Sequence, residues 1–271
     1  MRAPAKFPCL AAVAVMLGIV RQAPAQSGTP PPAPRGTTSQ NVRADTGVRL
    51  TRAVVMARLA SATEQHPADL SGTDLSELDL SGLDFKQANL SDARLLRTNL
   101  TGAKMFGVML TRAIARGADF SRAVLDVAVL RGTDLTGAKL GNASLYAVVL
   151  IGANLTEADL TEARLIGALA DAKLTRAILA RTKMGADPGN QPMGLMRTDL
   201  TGADLSGAVL SGADMRKVSL VRANLTGADM TGADLSGADV AGAVFHAIRG
   251  RNDIRGLDKA KNVDQAIFDP R

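Results

Sequence analysis

The sequence predicts a solenoid built from one short repeat, and three observations carry that prediction. From residue 68 a small–polar–Leu–Ser/Thr–Gly pattern returns every five residues, as ADLSG at 68–72, TDLTG at 133–137, ANLTE at 153–157 and ADLSG at 203–207. Centred on its large apolar residue, the pattern runs from Leu70 to Met184 and again from Leu200 to Phe245, which makes 34 units, 32 of them centred on Leu, Phe, Met or Val. Two residues before the centre, 32 of the 34 positions are Ala, Thr or Val, Leu78 and Leu83 being the exceptions. The run needs one four-residue step, read between Ala170 and Leu174, so that Ala115 and Ala170 are the two small centres. A period of five matches neither the 3.6 of a helix nor the 2 of an ordinary strand. It suits a chain that corners every five residues and fills each side of a narrow core with one large and one small side chain.

The motif A-(D/N)-L-x-x resembles that of the pentapeptide-repeat family over about two-thirds of the chain. The resemblance implies an all-β fold, a right-handed quadrilateral β-helix with four units per square coil. The centre and the small residue two before it would point inward, and the other three positions outward. Gly at the corners tolerates a strained backbone, and Ser and Thr bond to nearby backbone groups. Each coil touches only its neighbours, so both ends need caps.

The first cap is expected at 49–67. RLTRAVVMARLASATEQ has Leu50, Val54, Ala57 and Leu59-Ala60 at helical spacing, with Thr51 as N-cap and Pro67 as stop, which predicts a short helix over 51–64. The second is expected at 246–271, through Ile254, Leu257, Ala260, Val263 and Phe268. Ahead of the helix, residues 1–25 read as a secretory signal. Arg2 and Lys6 precede the apolar run Cys9–Val20, and Ala23-Pro24-Ala25 supplies a cleavage site. Residues 26–48 are rich in Pro, Ser, Thr and Gly and read as a disordered tether. The expected location is therefore extracytoplasmic, periplasmic or secreted, with no transmembrane segment in the mature chain.

Composition removes several function classes. The single Cys excludes an intramolecular disulfide framework and a Cys-based zinc site, and two His leave little for a His-rich centre. The formal charge of +6 comes from the ends, because residues 68–245 hold 18 basic and 20 acidic side chains. A nucleic-acid binder should show a basic stripe over its main domain, and this chain has none. Asp residues before the centres recur on every side, which marks repeat consensus rather than paired catalytic carboxylates. No nucleophile elbow, P-loop or metal-spaced cluster is present. The chain is expected to be no enzyme and to carry no cofactor.

Function should then sit where the repeat departs from itself. Residues twenty apart stack, and the outward column Asp69, Asn89, Met109, Val129, Val149, Leu169 turns apolar after two members. Around the preceding corner stand Phe106, Val127, Tyr146 and Ile166, with Ile151 just beyond. Equivalent positions on the other sides are mostly polar, apart from Ile114, Val124 and Ile178. Between Met184 and Leu200 the chain runs 16 residues where five are expected, and this 185–199 loop leaves and returns at the same edge. Met193, Leu195 and Met196 either fold back over the apolar edge or join it in a surface for a protein partner or a second copy. Met193 and Met196 form an M-x-x-M pair, but two thioethers without His or Cys make a weak Cu(I) site. The expected function is an exported scaffold acting in macromolecular interaction or self-association through this edge. The alternative is a DNA-mimicking gyrase binder, as some family members are. That reading requires a strongly negative body and a cytoplasmic address.

Overall fold

A computed structural model of the chain describes residues 48–186 and 196–270. The signal segment 1–25, the tether up to residue 47, and Met193 and Leu195 of the loop lie outside the described residues. Helix α1 spans Arg52–Ser61, with the Thr51 hydroxyl accepting from the Val54 amide at 3.4 Å. It ends three residues short of the expected 64, because Ala62 turns back to Leu59 and a separate turn joins the Thr63 amide to the His66 carbonyl. Its buried face is Val55 and Leu59, one turn apart; Val54, expected inside, is exposed. Arg52 and Arg58 donate to the backbone carbonyls of Asp79 and Asp69, and Lys86 donates to the carbonyl of Leu59.

From Leu70 onward the chain is a β-helix. Parallel bridges join Asp69 to Asn89, Asp74 to Arg94, Asp79 to Asn99 and Asp84 to Lys104, each pair twenty residues apart, so one coil takes four five-residue units. The centre's amide reaches the next coil, as in Leu90 N to Met109 O at 2.7 Å, and the small residue's amide closes the corner, as in Ala93 N to Leu90 O at 3.1 Å. Only a residue or two per side is extended between corners, so most pairing appears as single bridges. Among the described residues, longer strands form at β1 (Ser144–Val149) and β2 (Arg164–Ala168), and short ones at β3 (Val244–Phe245) and β4 (Ile267–Phe268). The inward large–small pairing is plain in the burial: Leu135, Leu140 and the small Ala138 between them are all inaccessible. Burial of each Leu contributes about 1.5–3 kcal/mol. Thr98, Thr133 and Thr182 take small positions and stay satisfied, their hydroxyls donating to the carbonyls of Leu75, Leu110 and Leu160 one coil back.

The short step lies elsewhere than expected. Leu169, not Ala170, is the buried centre, so the four-residue step falls between Leu165 and Leu169. Strand β1 absorbs it with a bulge: Tyr146 pairs with Ile166 and Val148 with Gly167, leaving Ala147 unopposed. Gly167 makes the shortcut feasible, since a Cβ there would stand 2.1 Å from the Val148 carbonyl oxygen. After the insertion the ladder resumes in register, Ala168 bridging Asp199 and Lys173 bridging Asp204.

The last coil changes period. Arg249, Arg255, Lys261 and Ile267 bridge Asp229, Asp234, Asp239 and Val244, so its steps are six residues, not five. The extra residue at three corners forms one 3-10 turn each, at Arg251–Asp253, Leu257–Lys259 and Val263–Gln265, entered through left-handed Gly250, Gly256 and Asn262. Phe268 stacks on the last centre, Phe245, with ring centroids 4.9 Å apart, and the Arg251 guanidinium lies over the Phe268 ring, 4.7 Å from its centroid.

Two outcomes are expected. Gly167→Ala should destabilise the coil by about 2–3 kcal/mol, since the clash is with backbone and neither strand can yield cheaply; thermal denaturation checks it. The second concerns acid. Hydrogen bonds from the Ser or Thr two residues on hold the carboxyls of Asp69, Asp79 and Asp229 below their ordinary value. Burial pushes Asp134 and Asp204 up, but bonds from Thr136 and Arg116, and from Ser206 and Thr175, outweigh it. Carboxyls lowered in the folded state stabilise it above the unfolded value and lose that contribution as pH falls through the folded one. The melting temperature should be flat above about pH 5 and fall below about pH 4, which circular dichroism at stepped pH would follow.

Candidate functional site

The apolar edge is built by one corner of the coil, where the ladder of Asp84, Lys104, Val124, Ser144 and Arg164 turns into that of Asp69, Asn89, Met109, Val129 and Val149. Two files of residues stack along the corner itself. The Gly107 amide donates to the Asp126 carbonyl and the Val127 amide to the Tyr146 carbonyl, while Tyr146 pairs with Ile166. One file is therefore Phe106, Asp126, Tyr146, Ile166, and the neighbouring file is Gly107, Val127, Ala147. The expected stack of Phe106, Val127, Tyr146 and Ile166 needs correction, because Val127 is 21 residues from Phe106 and belongs to the second file. Asp126 interrupts the first file, but its carboxylate turns along the coil and accepts from the Ser144 hydroxyl at 2.6 Å and the Tyr146 amide at 2.9 Å.

Exposure divides the edge. Phe106 is 54% exposed, Met109 41% and Val124 38%. Val124 bridges Lys104, two residues before Phe106, and so lies beside the other two. Ile114, on the ladder next to Met109, is also exposed. Val127, Val129, Tyr146, Val149, Ile151 and Met196 are half-buried. The Arg164 guanidinium lies over the Tyr146 ring, 4.2 Å from its centroid. Ile166 and Leu169, expected outward, are buried. Leu169 is a core centre once the short step is placed before it, and Ala168 takes its column position. The open apolar surface at this corner is therefore Phe106, Met109 and Val124, with Ile114 on the side that follows. In sequence Val124 stands only as an exception on another side; its place one coil above Lys104, at the same corner, joins it to the edge.

Val127 is held with φ at 62°. A β-branched side chain is strained in that left-handed region, by about 1–3 kcal/mol. The equivalent corner position elsewhere is Gly, Asn, Arg or another unbranched residue, so the strain is local to the apolar corner.

Elsewhere the polar groups have local roles. The His246 ring Nδ1 bonds Asp269 at 2.8 Å, and this bond, with the Ala247 amide, holds the Asp269 carboxyl below its ordinary range. Among the described residues no group of three or more His, Cys, Asp or Glu is placed to hold a metal ion, and no helix is long and apolar enough to cross a membrane.

Comparison with known proteins follows the ladder closely. The family signature described as pentapeptide repeats matches in eight copies, over residues 68–107, 103–142, 128–167, 139–184, 195–232 and 210–246, more than half of the chain. The chain belongs to the pentapeptide-repeat family. Members of the family are in general structural or binding proteins, and they fold as right-handed β-helices. Among solved structures the chain is similar to HetL, a pentapeptide repeat protein involved in heterocyst differentiation regulation from the cyanobacterium Nostoc sp., at 29% identity, 80% of this chain, 99% of that one and a TM-score of 0.34. It is also similar to QnrB1, a plasmid-mediated fluoroquinolone resistance protein, at 18% identity, 72% of this chain, 91% of that one and a TM-score of 0.44. A third is a pentapeptide repeat protein of the Arabidopsis thaliana thylakoid lumen, at 23% identity, 67% of this chain, 86% of that one and a TM-score of 0.14. A comparison with curated proteins gives no match.

Asn accepts the left-handed region where Val does not. Val127→Asn should therefore raise stability by about 1 kcal/mol, seen as a higher melting temperature with an unchanged far-UV spectrum.

Proposed function

We propose that this pentapeptide-repeat protein is an exported, non-enzymatic scaffold whose open apolar corner contacts a protein partner or a second copy. The observation that carries the reading is the cluster of Phe106, Met109 and Val124, exposed together on a face whose equivalent residues are otherwise mostly polar. Exposed apolar clusters of this kind usually mark contacts. The strain at Val127 beside them adds weight, because strained backbone is retained where a site uses it. Export is supported by the charged start, apolar run and small-residue ending of residues 1–25. The coil in this reading is four-sided, as the twenty-residue ladder supports, and helix α1 closes its first turn through Val55, Leu59 and the bonds of Arg52 and Arg58.

The DNA-mimicking alternative finds less support in the charges. Arg97 pairs with Glu77, Arg112 with Asp92, Arg176 with Glu157 and Arg181 with Glu162 in the adjacent coil. Acidic corner residues are thus interleaved with cations, and such pairs cancel the long-range field that mimicry of a duplex requires.

The test has two parts. Fractionation of the natural host with N-terminal sequencing should find the chain outside the cytoplasm, starting at Gln26; an uncleaved cytoplasmic chain would remove the export reading. Phe106→Asp with Met109→Asp should leave the coil folded, since Asp occupies equivalent positions at Asp126 and Asp69. Sedimentation velocity of the chain and cross-linking in its host should then show a dimer or partner adduct that the double variant loses. An adduct retained by the variant would place the contact elsewhere.

A further inference from the structure

The apolar corner continues below Phe106 as far as the cap helix. Lys104 bridges Asp84 in the first coil, so Lys86 stands beneath Phe106 at one strand spacing, about 4.8 Å. The Lys86 ammonium donates to the Leu59 carbonyl near the end of helix α1, at 3.3 Å, so its methylene stem rather than its charge continues the corner. A groove of about 190 Å³ lies between helix α1 and the first coil, with Met56, Leu83 and Lys86 in its lining. Met56 is exposed there. An apolar strip therefore runs over four levels: Met56 on the helix, the Lys86 stem on the first coil, Phe106 on the second and Val124 on the third.

Composition and charge decide what fits this strip. The chain ahead of the fold does not suit it, because Val42 is the only Val, Leu, Ile or Met in residues 26–47. A second copy does. Two opposite charges, Asp84 and Lys104, flank the strip as neighbours on one ladder, and the Asp84 carboxylate accepts from the Lys86 amide at 3.1 Å. In a two-fold pairing the same patch meets itself. An antiparallel pairing, about an axis between the first and second coils, exchanges those two coils and exchanges the helix with the third coil. Phe106 then meets the Lys86 stem of the other copy, Met56 meets its Val124, and Asp84 meets its Lys104. The four charges form a square in which every neighbour is of opposite sign, whereas a parallel pairing would set Asp84 against Asp84.

We propose that two copies of this chain pair antiparallel along the strip from Met56 to Val124, with Asp84 of each copy facing Lys104 of the other. The inference rests on the reading of the apolar corner as a contact surface. It adds the occupant, the register and a part for the cap helix. Apolar contact supplies the attraction, and the two symmetry-related charge pairs select the antiparallel register.

Sedimentation velocity of the purified chain over a concentration series tests this, and a dimer is expected. Asp84→Lys and Lys104→Asp should each weaken it by about tenfold or more, because either change sets like charges together twice across the two-fold axis. Both changes together should restore it. Asp and Lys already occupy this ladder, so the far-UV spectrum and melting temperature should hold in all three variants. A chain that stays monomeric overturns the proposal; a partner adduct in the host that Phe106→Asp with Met109→Asp loses would then assign the corner to another protein. A dimer lost in that apolar double variant but untouched by either charge change overturns the register while the corner remains a contact surface. Failure of the combined charge exchange to restore the dimer overturns the pairing of Asp84 with Lys104.

Discussion

Each side of the coil admits one large and one small inward side chain, held in place by a backbone ladder that returns every twenty residues. That double constraint governs the rest of the molecule. The centre's amide ties one coil to the next while the small residue's amide closes the corner, so a unit cannot gain or lose a residue without compensation. Large centres such as Leu135 and Leu140 fill the interior at crystal-like density only because Ala138 stands between them. Where Thr replaces Ala, its hydroxyl finds a carbonyl one coil back, and the core stays free of that orphaned polar group.

The departures obey the same rule. The lost residue between Leu165 and Leu169 is matched by a bulge at Ala147 and by a glycine whose missing side chain lets two strands meet. The insertion follows one coil later at the same corner, and the ladder resumes as though it were absent. In the last coil the step lengthens to six, and 3-10 turns take up the extra residue. A solenoid tolerates such changes at its corners because corners face outward and each coil answers only to its neighbours.

The candidate site lies along that one corner, on coils before the insertion. Phe106, Met109 and Val124 stand there, apolar and open. A rigid ladder fixes the spacing of side chains along a corner to one coil rise, so a short run of substitutions there becomes a surface of defined geometry. The scaffold supplies position, and the substitutions supply chemistry.

The period, the inward pairing, the apolar column from Met109 to Val149 and the place of the insertion were all legible in the sequence, because each is a spacing. Val55, the six-residue coil and the place of the short step were not. Two adjacent valines fit one helical stripe equally well, and only the docked helix buries the second. Leu169 and Ala170 both fit a centre locally; the ladder beyond them decides, by pairing Ala168 with Val149 and Asp199. The same pairing buried Ile166, laid Arg164 over Tyr146 and separated Val127 from Phe106. Composition at a fixed period determined the coil, since a repeated local choice has one repeated solution. Which side chains stay open at a corner was decided by contacts between residues twenty or more apart, and those depend on register across coils, which no single unit contains.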